Sequence, residues 1–172
     1  VPVLWLGTAE RISAIVEMTH PGVWILGDLA DDDRTCGMGI VVEYAGHGGK
    51  PQWIKPPPFQ WDYRRFASPD APPATPDETI ELTFAKRNAA LHGFNQWTIN
   101  GQPFDMQAMR PTFRLQHGKR YRLRMHNASD DIHPMHLHRH SFEITRIAGQ
   151  PVAGVIKDVA MLGGYQSMDV DF

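Results

Sequence analysis

Hydrophobic and polar positions alternate in short runs along most of this chain. Thr79-Ile-Glu-Leu-Thr-Phe84 is the clearest case. Its apolar side chains fall on every second residue, the period of a strand with one buried face. Phe113-Arg-Leu115, Tyr121-Arg-Leu-Arg-Met125, Phe142-Glu-Ile-Thr-Arg-Ile147 and Ser167-Met-Asp-Val-Asp-Phe172 repeat the pattern. Upstream, Arg11-Ile-Ser-Ala-Ile-Val-Glu-Met18 alternates in part. Val23-Trp-Ile-Leu26 and Gly39-Ile-Val-Val-Glu-Tyr44 are short apolar runs bounded by Gly, Pro or Asp. All of these predict strands separated by turns. Helical periodicity is weak throughout, so an all-β Greek-key sandwich is expected.

The pattern breaks between residues 46 and 77. Gly, Pro and polar residues take over, with Pro56-Pro-Pro58 and Pro72-Pro73. Proline removes a backbone donor and fixes φ, so this stretch is a poor sheet partner. It reads as an extended linker between two β-rich pieces, residues 1–45 and 78–172. Trp53, Phe59, Trp61, Tyr63 and Phe66 are its candidate anchors.

Bulk properties narrow the partners. The formal net charge of −2 gives no reason to expect nucleic acid or an anionic membrane surface. No apolar run approaches the ~20 residues of a membrane helix. The chain opens on Val1 with no charged-then-apolar export signal, as a piece of a longer protein would. The single cysteine, Cys36, excludes an intrachain disulfide framework. It sits among Asp31, Asp32 and Asp33, whose charge disfavours a thiolate, and no role is assigned to it.

The chemistry concentrates in His133-Pro-Met-His136-Leu-His138-Arg-His140, which holds four of the nine histidines. Imidazole is the commonest protein ligand for copper and zinc. Rings this dense are hard to bury without partners. Alternate strand residues share a face roughly 6.5–7 Å apart, so His136, His138 and His140 could face one metal or several adjacent ones. A solvated polar loop or a metal-affinity tract fits the run less well, given Pro134, Leu137 and the flanking strands. His20, His47, His92, His117 and His126 are isolated and read as surface or hydrogen-bonded residues. The eight methionines do not cluster and read as core filler. Asp130 and Asp131 could orient a ligand ring, or be a solvated turn pair. Arg120, Arg122 and Arg124 read as one solvated strand face.

This run resembles the first copper motif in the last domain of the multicopper oxidases, which reads His-Pro-x-His-Leu-His-Gly-His. The resemblance extends to Trp97-Thr-Ile-Asn-Gly101 with Pro103-Phe104, to Gly118-Lys-Arg-Tyr-Arg-Leu-Arg124 with Asn127, and to Lys157-Asp158-Val159. Gly7-Thr-Ala-Glu-Arg11 and Pro21-Gly-Val-Trp-Ile-Leu26 resemble strands near the end of the family's middle domain. The resemblance implies a cupredoxin-like Greek-key β-sandwich. Residues 1–45 would close one such domain. Residues 78–172 would be a copper-binding domain, incomplete at its C-terminus. It implies His133 as a type 1 copper ligand, His136 as a type 2 ligand and His138 as a type 3 ligand, with His140 not a ligand.

The sequence departs from the family pattern twice. Arg139 stands where the pattern has Gly. A fixed positive charge opposes copper binding nearby, so this side chain is expected to reach solvent or a carboxylate. The later His-Cys-His motif, whose thiolate a blue copper site requires, does not occur. The missing ligands are expected from sequence outside this chain, which alone should bind copper weakly and not turn over. For the complete protein the resemblance implies a laccase-like oxidoreductase, periplasmic or secreted. Its partners would be dioxygen and a small reducing substrate, with copper as cofactor. Two alternatives remain. His136-x-His138 with Glu143 and Gly149 approximates a cupin motif for a single metal ion, and a non-catalytic copper-binding domain fits as well.

Overall fold

The computed structural model describes residues 1–68, 70, 74–108 and 112–172; Pro72-Pro73 of the expected linker lies outside the described residues. The chain divides into two compact units. One comprises residues 1–5 and 12–61, the other 6–11 and 62–172.

In the first unit, strands β1 (Val23–Gly27) and β2 (Gly39–Glu43) pair antiparallel, from Val23 opposite Glu43 to Gly27 opposite Gly39. A single helical turn, α1 (Asp31–Thr35), connects them. Gly27 is required by packing, since a Cβ there would lie 2.7 Å from the Gly39 Cα. The Arg34 guanidinium stacks 3.7 Å over the Trp53 ring. Arg11-Ile-Ser-Ala-Ile-Val-Glu-Met18 is not a strand. Its β-branched residues suit a ladder, but among the described residues it pairs with no strand, and Ile15 is fully exposed.

The second unit carries the sandwich. Strands β3 (Glu78–Leu91), β4 (Phe94–Ile99), β5 (Gln102–Pro103), β6 (Tyr121–Asn127), β8 (Phe142–Ile147), β9 (Gln150–Lys157) and β11 (Ser167–Asp171) form one sheet, in the order β5-β4-β3-β6-β11-β8-β9. Strands β7 (His133–His136) and β10 (Val159–Leu162) form a separate two-stranded sheet. β3 runs parallel to β6, and the other pairings are antiparallel. The core is built on Met125, Ile144, Leu162, Met168 and Val170, each almost wholly buried. Asn100-Gly101 joins β4 to β5 with φ of 50° and 77°. Positive φ at both central residues defines the mirror-image turn that matches strand twist. Phe113-Arg-Leu115 is not a strand; Phe113 and Leu115 are both exposed, so alternation there does not mark a buried face.

The arginines of β6 are not a solvated face. Arg122 lies opposite Asp171 and Arg124 opposite Asp169 across the β6–β11 ladder. Arg122 Nε donates to Asp171 Oδ1 at 2.7 Å, and Arg120 Nε to Asp171 Oδ2 at 3.1 Å. Arg120 also reaches Glu143 at 2.8 Å. Asp169 and Asp171 are buried beneath these guanidinium groups. Burial pushes the Asp171 carboxyl up, but Arg122 and Arg120 outweigh it and hold the group below the usual carboxylate range.

Candidate metal centre

β7 exists because β10 pairs with it, placing His133 opposite Leu162 and His136 opposite Val159. Pro134 is tolerated because a two-stranded sheet leaves one edge without a ladder. His133 and His136 are three residues apart on one strand, so their side chains leave it on opposite faces. They therefore serve different surroundings. The strand ends at His136, and a turn at His138-Arg139 follows. Strand alternation thus does not extend to His138 and His140. Instead the turn folds the His138 ring back onto His136, with ring centroids 5.2 Å apart and planes tilted by 54°. His140 goes elsewhere, its ring 5.9 Å from that of Phe172.

Hydrogen bonds fix which nitrogen each ring presents. His136 Nδ1 lies 2.6 Å from the backbone oxygen of Asp158. A carbonyl only accepts, so Nδ1 carries the proton and Nε2 keeps its lone pair. His133 Nε2 lies 3.3 Å from Ser129 Oγ. The Ser129 hydroxyl proton is committed to Asn127 Oδ1 at 2.8 Å, so Oγ accepts from His133 and the free lone pair moves to Nδ1. The two rings thus present opposite nitrogens on opposite faces of β7. Asn127 is wholly buried and fully engaged. Its amide nitrogen donates to the carbonyls of Asp131 (2.6 Å) and Gly163 (2.9 Å). Phe84 packs beside His133, with ring centroids 5.9 Å apart.

Sequence reasoning did not find Ser129 or the Asp158 carbonyl. A serine two residues past a strand and a backbone oxygen carry no motif. Asp130 and Asp131, the residues singled out, clamp Lys86 at 2.6 and 3.1 Å, and Asp131 also accepts from Trp97 Nε1 at 3.0 Å. These contacts hold both carboxyls below their usual range, Lys86 leading for Asp130 and the Trp97 N–H for Asp131. The Arg11 guanidinium does the same for Asp158. Arg139 is exposed, and its φ is 66°, left-handed backbone that favours glycine. Glu143, the carboxylate of the cupin-like alternative, is bonded to Arg120 and to the Gly154 N–H instead.

The donor set suits copper in kind: His133, His136 and His138 are imidazoles, and the first two have fixed tautomers. It is short in number. Among the described residues no group of three or more His, Cys, Asp or Glu side chains converges on one point. The one cysteine, Cys36, is exposed and lies in the other unit.

The sequence matches the family profile described as multicopper oxidase over residues 72–172. It is 28% identical over 178 residues to the multicopper oxidase MmcO of Mycobacterium tuberculosis, a match covering 98% of this chain and 32% of that protein. The chain thus spans about a third of the length of that curated relative. Among solved structures it is similar to Fet3p, described as a multicopper oxidase that functions in iron import. That match has a TM-score of 0.50 at 14% identity and covers 79% of this chain and 35% of that one. It is also similar to McoA from the hyperthermophile Aquifex aeolicus, with a TM-score of 0.46 at 19% identity, covering 59% and 24%.

Proposed function

This chain belongs to the multicopper oxidase family, and from that membership we propose that it supplies part of the copper sites of a laccase-like oxidase. Its fold is the all-β, cupredoxin-like sandwich of that family. In this reading residues 1–45 close one cupredoxin-like domain, residues 46–77 are the linker, and residues 78–172 form most of a copper-binding domain.

His133 serves as a type 1 ligand through Nδ1, His136 as a type 2 ligand through Nε2, and His138 as a type 3 ligand. The remaining ligands, including the His-Cys-His thiolate, come from sequence outside this chain. The observation that carries the reading is the placement of His133 and His136 on opposite faces of β7, with opposite nitrogens free. A motif serving two centres needs that arrangement, and a single-metal site does not.

Bound copper would supply one-electron redox chemistry and a place for dioxygen. The chain's own residues fix the ligands. Ser129 and Asn127 hold the His133 tautomer, the Asp158 carbonyl holds that of His136, and Phe84 and Leu162 exclude water behind β7. The complete protein would couple four one-electron oxidations of a small reducing substrate to reduction of dioxygen, with four protons, to two waters. It would work in the periplasm or outside the cell.

The test is to titrate the purified chain with Cu(II) and follow bound metal, electron paramagnetic resonance and oxygen consumption with a reducing donor. Weak binding that depends on His136 and His138, without oxygen consumption, is expected. Oxidase turnover by the chain alone would overturn the split-site reading. Binding that survives loss of His133, His136 and His138 together would overturn the ligand assignment.

A further inference from the structure

We propose that Glu10, 126 residues upstream in the sequence, is a positioning residue for the His136 ring. The proposal rests on the reading of His136 as a copper ligand only for its consequence on metal affinity, not for its geometry.

Glu10 is buried within the second unit. Its Oε1 accepts from the Tyr63 hydroxyl at 2.8 Å and pairs with Lys157 Nζ at 2.9 Å, and its Oε2 accepts the Gly7 N–H at 2.9 Å. Lys157 Nζ also donates to the Arg11 carbonyl at 2.9 Å. The Arg11 guanidinium pairs with the Asp158 carboxylate. Tyr63 Oη accepts the Met161 N–H at 2.9 Å. Residues 7–11 and Tyr63 therefore grip positions 157, 158 and 161.

Those three positions bracket the carbonyl that decides the His136 tautomer. Asp158 is the bend between β9 and β10, the one residue there outside either ladder. A peptide at such a bend can rotate unless its neighbours are anchored. Lys157 is anchored by the Glu10 carboxylate and Met161 by the Tyr63 hydroxyl that Glu10 orients. Without this clasp only the ladder pairs of Lys157 and Val159 restrain the Asp158 peptide; its oxygen gains freedom to swing from the His136 Nδ1 proton, and the ring can take either tautomer or flip. A bond that merely stapled two segments together could sit anywhere along β9; this one flanks the acceptor of a candidate ligand.

The experiment compares the full chain with E10Q, Y63F and R11A by long-range proton–nitrogen spectra of the histidine rings. The protein is metal-free, at about pH 8, above the ordinary titration range of free imidazole. In the parent, His136 shows protonated Nδ1 and bare Nε2. E10Q and Y63F are expected to lose the protected Nδ1 proton and shift both ring nitrogens toward tautomer-averaged values, while the His133 signals stay put. Arg11 is largely exposed, so R11A removes the outer strand of the clasp without opening the core and should shift His136 in the same direction by less. It decides the matter if E10Q does not fold. An unchanged His136 tautomer in every variant that folds overturns the proposal.

The second measurement is Cu(II) affinity. Partners that orient metal-binding histidines commonly alter affinity by roughly 10–100-fold, and about tenfold weaker binding is expected for E10Q. A shifted tautomer with unchanged affinity would uphold the positioning role and overturn His136 as a ligand, so the two readings fail separately.

Discussion

His136 Nδ1–H donates to the Asp158 carbonyl oxygen, 2.6 Å away, and that one bond leaves Nε2 with the free lone pair. His126 also engages its Nδ1, in a hydrogen bond with Ser167 Oγ at 3.0 Å, but lies on β6, away from the motif. The pair provides a controlled comparison. His136→Ala should weaken Cu(II) binding by at least about tenfold, or ~1.4 kcal/mol, and His126→Ala should leave it unchanged. Competition against a chromophoric chelator measures both.

Arg139 carries a backbone that glycine prefers. Relief of a left-handed residue is worth ~1–2 kcal/mol, part of which glycine loses again through its freer unfolded chain. Arg139→Gly should therefore raise stability by roughly 0.5 kcal/mol, whereas Arg139→Val, β-branched at positive φ, should lower it by about 1–2 kcal/mol. Urea unfolding of the two variants would show midpoints moving in opposite directions. A drop for the glycine variant would mean the arginine side chain holds this turn.

Asn127 satisfies four backbone and side-chain groups around His133. Asn127→Ala leaves two carbonyls and the Ser129 donors without their partner and should cost about 2–4 kcal/mol. It should also release the His133 tautomer, since Ser129 no longer has a fixed acceptor. Denaturant unfolding gives the first effect and ring-nitrogen shifts the second.

Asp171 sets an acid limit. Its folded pKa lies below the ordinary 3.8, so its contribution is fully present above that value. It is lost as pH falls from there through the folded pKa. Thermal unfolding of the second unit should thus weaken steeply below about pH 4. Asp171→Asn should flatten that dependence. At neutral pH it should cost ~3–5 kcal/mol, as loss of one partner in a buried pair does. A variant with the parent's acid profile would mean that other carboxylates set the limit.

Much of the sandwich was legible. Thr79-Ile-Glu-Leu-Thr-Phe84, Tyr121-Arg-Leu-Arg-Met125 and Phe142-Glu-Ile-Thr-Arg-Ile147 lie in β3, β6 and β8, because each buries one face and alternation records that. Arg11-Ile-Ser-Ala-Ile-Val-Glu-Met18 shows the limit of the signal. Composition gives a segment's aptitude for pairing, and only the fold supplies the neighbour. β9 and β10 went unread although Gln150–Lys157 alternates over part of its length, because Gly154 and Pro151 weaken the pattern. The arginines of β6 were misread for a related reason. A charged strand face looks solvated until the partner strand, 45 or more residues later, is seen to carry aspartates in register.

The histidine motif gave residue types and their order but not their directions. His133 and His136 separate by strand parity, which spacing alone could have shown. His138 joins His136 through a turn, which parity misses. The groups that choose the donor nitrogens, a serine hydroxyl and a main-chain oxygen, have no sequence signature at all.

The clasp between Arg11 and Lys157 has a bearing on biosynthesis. Its two halves are 146 residues apart. At translation speeds of about 5–20 residues per second, the ribosome needs roughly 7–30 s to deliver the second half after the first. Until then the carboxylate of Glu10 has no lysine to meet. The earliest-made stretch of the second unit is thus locked only after β9 has been made, and maturation of the His136 corner waits on the synthesis of β9 and β10.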